Sequence, residues 1–228
     1  GLAISERMNA QVRGMNVAIR NANDAISLSQ TAEGALGKVG DMLQRMRELA
    51  VQSANATNGT SDRANLNAEY QALGTEVVRT LANTKFNGLA ILGANAGTLS
   101  FQVGANAGET VDVVTTRLDT AVSITGATGG AITDATLAGT AMTNIDTALT
   151  AVNGERALYG ATQNRFDAII GTLQVAAENQ AAAKSRITDA DFAAETANLS
   201  RAQILQQAGS AMVAQANQLP QAVLALLR

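Results

Sequence analysis

The stretch LQRMRELAVQSAN, Leu43 to Asn55, sets the reading of the fold. Met46 follows Leu43 by three positions and Ala50 follows Met46 by four, which is the spacing of residues along one side of an α-helix. The remaining positions are not uniformly polar. Gln44, Arg45, Glu48, Leu49 and Gln52 lie mostly off the stripe, so the outer surface carries charge, amide and an aliphatic side chain together. A helix facing only water has no use for such a mixture, and a second contact surface is expected there.

Working back from Leu43, the stepping continues through Val39, Leu36, Ala32, Ser29, Ile26, Ala22, Ile19, Met15, Val12, Met8 and Ile4. This predicts one helix from Leu2 to Ala54, roughly 80 Å long at 1.5 Å per residue. Gly14, Gly34, Gly37 and Gly40 each weaken it by about 0.5–1 kcal/mol relative to Ala, a cost that close backbone approach would explain. ATNGTSD, Ala56 to Asp62, is turn chemistry with Thr60 or Ser61 as N-cap. A second helix then runs to about Asn83 with Leu66, Tyr70, Leu73, Val77 and Leu81 on one face.

The period changes in TLSFQVG (Thr98 to Gly104) and ETVDVVTT (Glu109 to Thr116). Leu99, Phe101, Val103, Val111 and Val113 alternate with polar residues, which predicts a β-hairpin. The Thr-, Ala- and Gly-rich span from Arg117 to Gly139 reads as loop or short strand with little core of its own. Helical spacing returns from about Thr140 to Ser185, and TDAD (Thr188 to Asp191) offers Thr188 or Asp189 as the cap of a last helix. That helix carries Leu205, Ala208, Met212, Ala216, Leu219, Val223 and Leu226 in steps of three and four. Pro220 is the only proline, so most of the chain is free to form long helices.

Composition excludes several function classes. The 228 residues contain no Cys and no His. Disulfides, thiol nucleophiles, Ser-His-Asp catalysis and the common zinc ligand sets are therefore ruled out. There is no phosphate loop or GxGxxG turn, and the acids of TDADF read as a helix start rather than a cation site. No enzyme, cofactor or metal site is expected. A net charge of −3 gives no nucleic-acid footprint, and no apolar run approaches the roughly 18–20 residues of a membrane span. Three Asn-x-Ser/Thr matches, at Asn55, Asn58 and Asn198, are short enough to arise by chance. The residues themselves point to a mainly α chain that associates through its helical ends.

Longer blocks carry a resemblance. GLAISERMNAQVRGMNVAIRNANDAISLSQTAEGAL (Gly1 to Leu36), LQRMRELAVQSAN and TKFNGLAIL (Thr84 to Leu92) resemble the N-terminal region of bacterial flagellins. SRITDADFAAETANLSRAQILQQAGSAMVAQANQLPQAVLALLR (Ser185 to Arg228) resembles their C-terminal region. The resemblance implies a secreted structural subunit of the flagellar filament on the bacterial surface. Residues 1–115 would hold two long helices and the β-hairpin of a rod domain, residues 116–140 a short variable middle, residues 141–185 the returning rod helix, and residues 186–228 a helix of the inner tube. It implies other flagellin subunits, an export chaperone and the filament cap as partners, with Leu205, Met212, Leu219, Val223 and Leu226 serving assembly. It also implies recognition by host toll-like receptor 5 through Arg45, an exposed Leu49 anchor and Glu69. The family's usual opening before GLAISER is not in this sequence, so an unpaired C-terminal helix and poor polymerisation are expected. Two other readings remain at this point: a hook-associated junction protein, and a surface homologue that captures an acidic polysaccharide through Arg7, Arg13 and Arg20 on one side of the first helix.

Overall fold

A computed structural model describes residues 1–189 and 192–226. The elements run α1 (Leu2–Ala54), α2 (Thr60–Asn83), β1 (Lys85–Phe86), β2 (Leu89–Ala90), β3 (Thr98–Gln102), β4 (Thr110–Val114), α3 (Val122–Thr128), α4 (Ala135–Thr188) and α5 (Phe192–Leu226). The chain divides into two compact units, Arg7–Ala181 on one hand and Gly1–Glu6 with Ala182–Arg228 on the other.

In the larger unit, α1 buries Met15, Ala18, Ala22, Ala25, Ser29, Ala32, Leu36, Val39, Leu43, Met46, Ala50 and Ser53. Along this series the steps alternate between three and four, which is the spacing of a coiled-coil seam, and Leu28 and Leu49 are buried beside it. The seam expected from the sequence is correct from Ser29 to Ala50. Before that, Ala18 and Ala25 are buried where Ile19 and Ile26 were expected, and Ile4 is 43% exposed. The reason is tertiary. Asn21 Nδ2 donates to the Gln102 carbonyl at 2.9 Å, which brings the β3–β4 hairpin onto this part of α1. Phe101 of that hairpin stacks edge-on against Phe166 of α4, with centroids 6.0 Å apart and an interplanar angle of 79°. Small side chains on α1 leave room for these rings.

Polar ties fix α1 and α4 as antiparallel neighbours. Arg47 Nε donates to Asp146 Oδ1 at 2.7 Å, Gln163 Nε2 donates to Glu33 at 2.9 Å, and Gln180 bonds Gln11. Toward the Arg47–Asp146 end of this register α1 buries Leu43, Met46 and Leu49, and α4 buries Ala138, Ala141, Ile145, Ala148 and Val152; farther along, α1 buries Ala18, Ala22, Ala25 and Leu28, and α4 buries Tyr159 and Phe166.

The helix α2 has the expected bounds but not the expected cap. Gly59 is its N-cap, and the Asp62 carboxylate accepts from Gly59 N–H at 3.1 Å. Tyr70, Val77 and Leu81 are fully buried. The hairpin β3–β4 pairs antiparallel, Thr98 opposite Val114 and Gln102 opposite Thr110. A second small hairpin, β1–β2, was not anticipated. Its turn is Asn87-Gly88, both at positive φ, the usual chemistry of a two-residue hairpin loop.

The span after β4 is also more structured than its composition suggested. The helix α3 replaces the expected loop or strand, and Leu118, Ile124, Ala127 and Ile132 are all buried. Tyr70 Oη donates to the Ala127 carbonyl at 2.5 Å, Asn67 Oδ1 accepts from Ile132 N–H at 2.9 Å, and Ser53 bonds the Ile132 carbonyl. Helix α4 starts at Ala135, earlier than expected, because the Asp134 carboxylate caps it, accepting from Leu137 N–H at 2.8 Å. At its other end Thr188 closes α4, its hydroxyl donating back to the Lys184 carbonyl at 3.0 Å. The start of α5, and with it the expected Thr188 or Asp189 cap, lies outside the described residues.

Close approach explains a glycine in two places. A Cβ on Gly14 would sit 2.9 Å from that of Ala105 in the β3–β4 loop, whereas Gly34, Gly37 and Gly40 meet nothing within 4 Å. A Cβ on Gly74 would lie 2.9 Å from the Thr128 carbonyl oxygen and 3.3 Å from its Cα. Gly74→Ala is therefore expected to destabilise by about 1–3 kcal/mol, because backbone must move. Gly139→Ala, on α4 with nothing within 4 Å, is expected to stabilise by about 0.5–1 kcal/mol. Thermal unfolding of the two variants checks both signs.

Candidate functional surface

The mixed outer surface of Leu43–Asn55 is now resolved. Leu43, Met46, Leu49 and Ala50 all point inward, and Leu49 is 1% exposed. The expected exposed anchor at Leu49 is thus corrected: the helical step places it beside Met46 and Ala50 in the core. The aliphatic side chain that does reach solvent is Val51, 50% exposed. With Gln44, Arg47, Glu48 and Gln52 it lines a shallow depression of about 460 Å³.

Above this layer Arg45 bridges two helices. Its Nε donates to Glu69 Oε1 of α2 at 2.9 Å and its Nη1 to Glu48 Oε2 at 2.9 Å. The Glu48 and Glu69 carboxylates together raise the Arg45 pKa further. The pair is about half exposed on both sides, so water screens it and its contribution to folding is small. Its geometry still fixes where a cation and an anion stand on the surface. Arg47, not singled out from sequence, makes the equivalent bond across α1 and α4. Asp146 accepts from it twice, at 2.7 and 3.3 Å, and is held below the ordinary carboxylate range by those bonds. No local signal marks it, because the partner is 99 residues away.

The other expected site residues lie elsewhere. Leu205 and Met212 share one side of α5 and are 65% and 70% exposed. Leu219, Val223 and Leu226 have side chains outside those the structure describes. Arg7, Arg13 and Arg20 do not form one basic side. At about 100° per residue Arg13 and Arg20 align, while Arg7 stands about 120° around the helix. No helix among the described residues is long and apolar enough to cross a membrane.

What the arrangement offers is surface: long helices, a coiled-coil seam, and exposed patches of mixed polarity. These are the attributes of a structural protein that assembles. The profile of the bacterial flagellin N-terminal helical region matches residues 1–96, and that of the bacterial flagellin C-terminal helical region matches residues 142–227. The flagellin of Halalkalibacterium halodurans is 50% identical over all 228 residues, which cover 84% of that relative. The crystal structure of Bacillus cereus flagellin aligns with a TM-score of 0.60 and 34% identity, covering 72% of this chain and 94% of that one. A Vibrio parahaemolyticus structure provisionally described as a flagellar hook-associated protein aligns with a TM-score of 0.65 but 15% identity, covering 81% and 94%. At that identity the likeness concerns the fold alone.

The chain belongs to the bacterial flagellin family. It is a structural subunit of the flagellar filament and assembles with other flagellin subunits in an appendage outside the cell. The junction-protein and polysaccharide-capture readings are displaced by this result.

Proposed function

We propose that the filament subunit also presents, as a monomer, the Arg45–Glu69 surface to host toll-like receptor 5. The observation that carries this reading is the Arg45–Glu69 bond, which holds a cation and an anion from two helices side by side at the surface. Leu49, buried in the core, takes no part in this contact. Export through the flagellar apparatus with a chaperone, and delivery to the cap, belong to the same reading. So does the division into a rod formed by residues 1–115 and 141–185, a short middle of 116–140, and an inner-tube helix of 186–228. The exposed Leu205 and Met212 support an assembly role for α5, with Leu219, Val223 and Leu226 continuing the same periodicity.

Receptor-expressing reporter cells test the contact. Arg45→Ala and Glu69→Ala monomers are each expected to lose at least tenfold in potency. The double variant should lose less than the product of the two, because the residues share a bond. Circular dichroism should be unchanged throughout. Wild-type potency in both single variants would remove the receptor contact from this surface.

A further inference from the structure

The composition leaves few side chains that an oxidant can attack. Cysteine, histidine and tryptophan are absent, so the oxidisable set reduces to two tyrosines and six methionines. Both tyrosines are buried. Of the methionines, Met15 and Met46 are buried, Met42 and Met142 pack partly covered against the core, and Met8 is partly covered. Among the described residues Met212 alone is open, 70% exposed on α5. Its neighbours three and four positions away are Ala208, Gly209, Gln215 and Ala216, uncharged and mostly small. They give the thioether little cover. The nearest charge on α5, Arg201, is about three turns away.

We infer that Met212 is an oxidation site, and that its modification by a peroxide stops a free subunit from assembling. The reaction is an oxygen-atom transfer. A lone pair of Sδ attacks one peroxide oxygen and the O–O bond breaks. Sulfur is oxidised by two electrons to the sulfoxide, the peroxide is reduced, and its second oxygen leaves with both protons as water. A thiol-dependent sulfoxide reductase reverses the change. The product is polar where the thioether was apolar. Leu205, Ala208, Met212 and Ala216 share one stripe of α5, so the new S–O dipole stands within the apolar surface and must lose its water when that stripe is covered. The block to assembly rests on the proposed assembly role of α5, whereas the selectivity of the oxidation rests on exposure alone.

Full-length monomer is treated with hydrogen peroxide and sampled for peptide mass spectrometry. Met212 is expected to gain oxygen at least tenfold faster than Met15, Met42, Met46 and Met142. The same samples are added to sheared filament seeds. Treated wild type is expected to elongate them at least fivefold more slowly than untreated wild type, and methionine sulfoxide reductase with dithiothreitol should restore the rate. In Met212→Leu, whatever its own rate, the same dose is expected to change elongation less than twofold. Oxidation of Met212 no faster than that of the core methionines overturns the site. Selective oxidation with unchanged elongation, or an equal peroxide effect in wild type and Met212→Leu, overturns the block. Untreated wild type that fails to extend seeds overturns the assembly reading and the block with it, while the peptide map still decides the site.

Discussion

Phe166→Ala is expected to cost about 3–5 kcal/mol, the range for removing a fully buried aromatic ring. Phe166 is 0% exposed, and its ring is the point at which α4 meets the β3–β4 hairpin through Phe101. Its ring is fully enclosed, so truncation leaves a cavity, and the loss grows with how much of that cavity stays open. Thermal unfolding followed at 222 nm reads the total. Hydrogen exchange should show β3 and β4 losing protection before α2 does. A loss below about 1.5 kcal/mol would show that the hairpin is held by its polar ties, chiefly Asn21 to Gln102, and not by the rings.

The second large effect is alkaline. The chain has two tyrosines and no tryptophan, so absorbance at 295 nm reports tyrosinate alone. Both hydroxyls are buried. Burial pushes Tyr70 up to about 12. Burial, reinforced by the Glu155 carboxylate, raises Tyr159 as well. A folded-state pKa above the unfolded value of 10 adds stability that is complete below pH 10 and is lost as pH rises toward and beyond 12. For Tyr70 the loss is on the order of 2–3 kcal/mol. Native protein should show almost no tyrosinate near pH 10, then a single cooperative rise coincident with unfolding, whereas denatured chain titrates near 10. Ordinary titration of either tyrosine with helical dichroism intact would contradict the burial. The two hydroxyls should also respond oppositely to removal. Tyr70→Phe strands the Ala127 carbonyl and should cost about 1 kcal/mol. Tyr159 Oη has no hydrogen-bond partner among the described residues, so Tyr159→Phe should gain about 1 kcal/mol by removing an unsatisfied polar group.

Much of this structure is legible in the sequence because most of it is local. The limits of α2, the two strands around Phe101 and Val111, and the stepping from Ser29 to Ala50 follow from period and turn residues alone. The misreadings share a different origin. Periodicity cannot rank Ala18 against Ile19, since both continue a helical stripe; the choice is made by rings arriving from β3 and α4. Leu49 looked peripheral because it departs from a single three/four series, yet the seam is wide enough to take it in. Helix α3 was hidden because Thr and Gly are poor helix formers, and its hydrogen bonds from Tyr70 and Asn144 and the burial of Ile124 and Ala127 hold it in place. Two signals were present and overlooked: Asn87-Gly88 as a hairpin turn, and Asp134 as a cap. For the surface, Arg45 and Glu69 were named, but their mutual bond and the Arg47–Asp146 tie join residues far apart in sequence.

The seam between α1 and α4 has a mechanical consequence. Sliding one helix past the other by a heptad, about 10 Å at 1.5 Å per residue, would carry the Phe166 ring away from Phe101 and out of its buried seat. The pair is therefore keyed by packing as well as by charge. Ion pairs such as Arg47–Asp146 fade as ionic strength rises, but the seat of a buried ring does not. Along this seam the filament subunit is held by something that salt cannot screen.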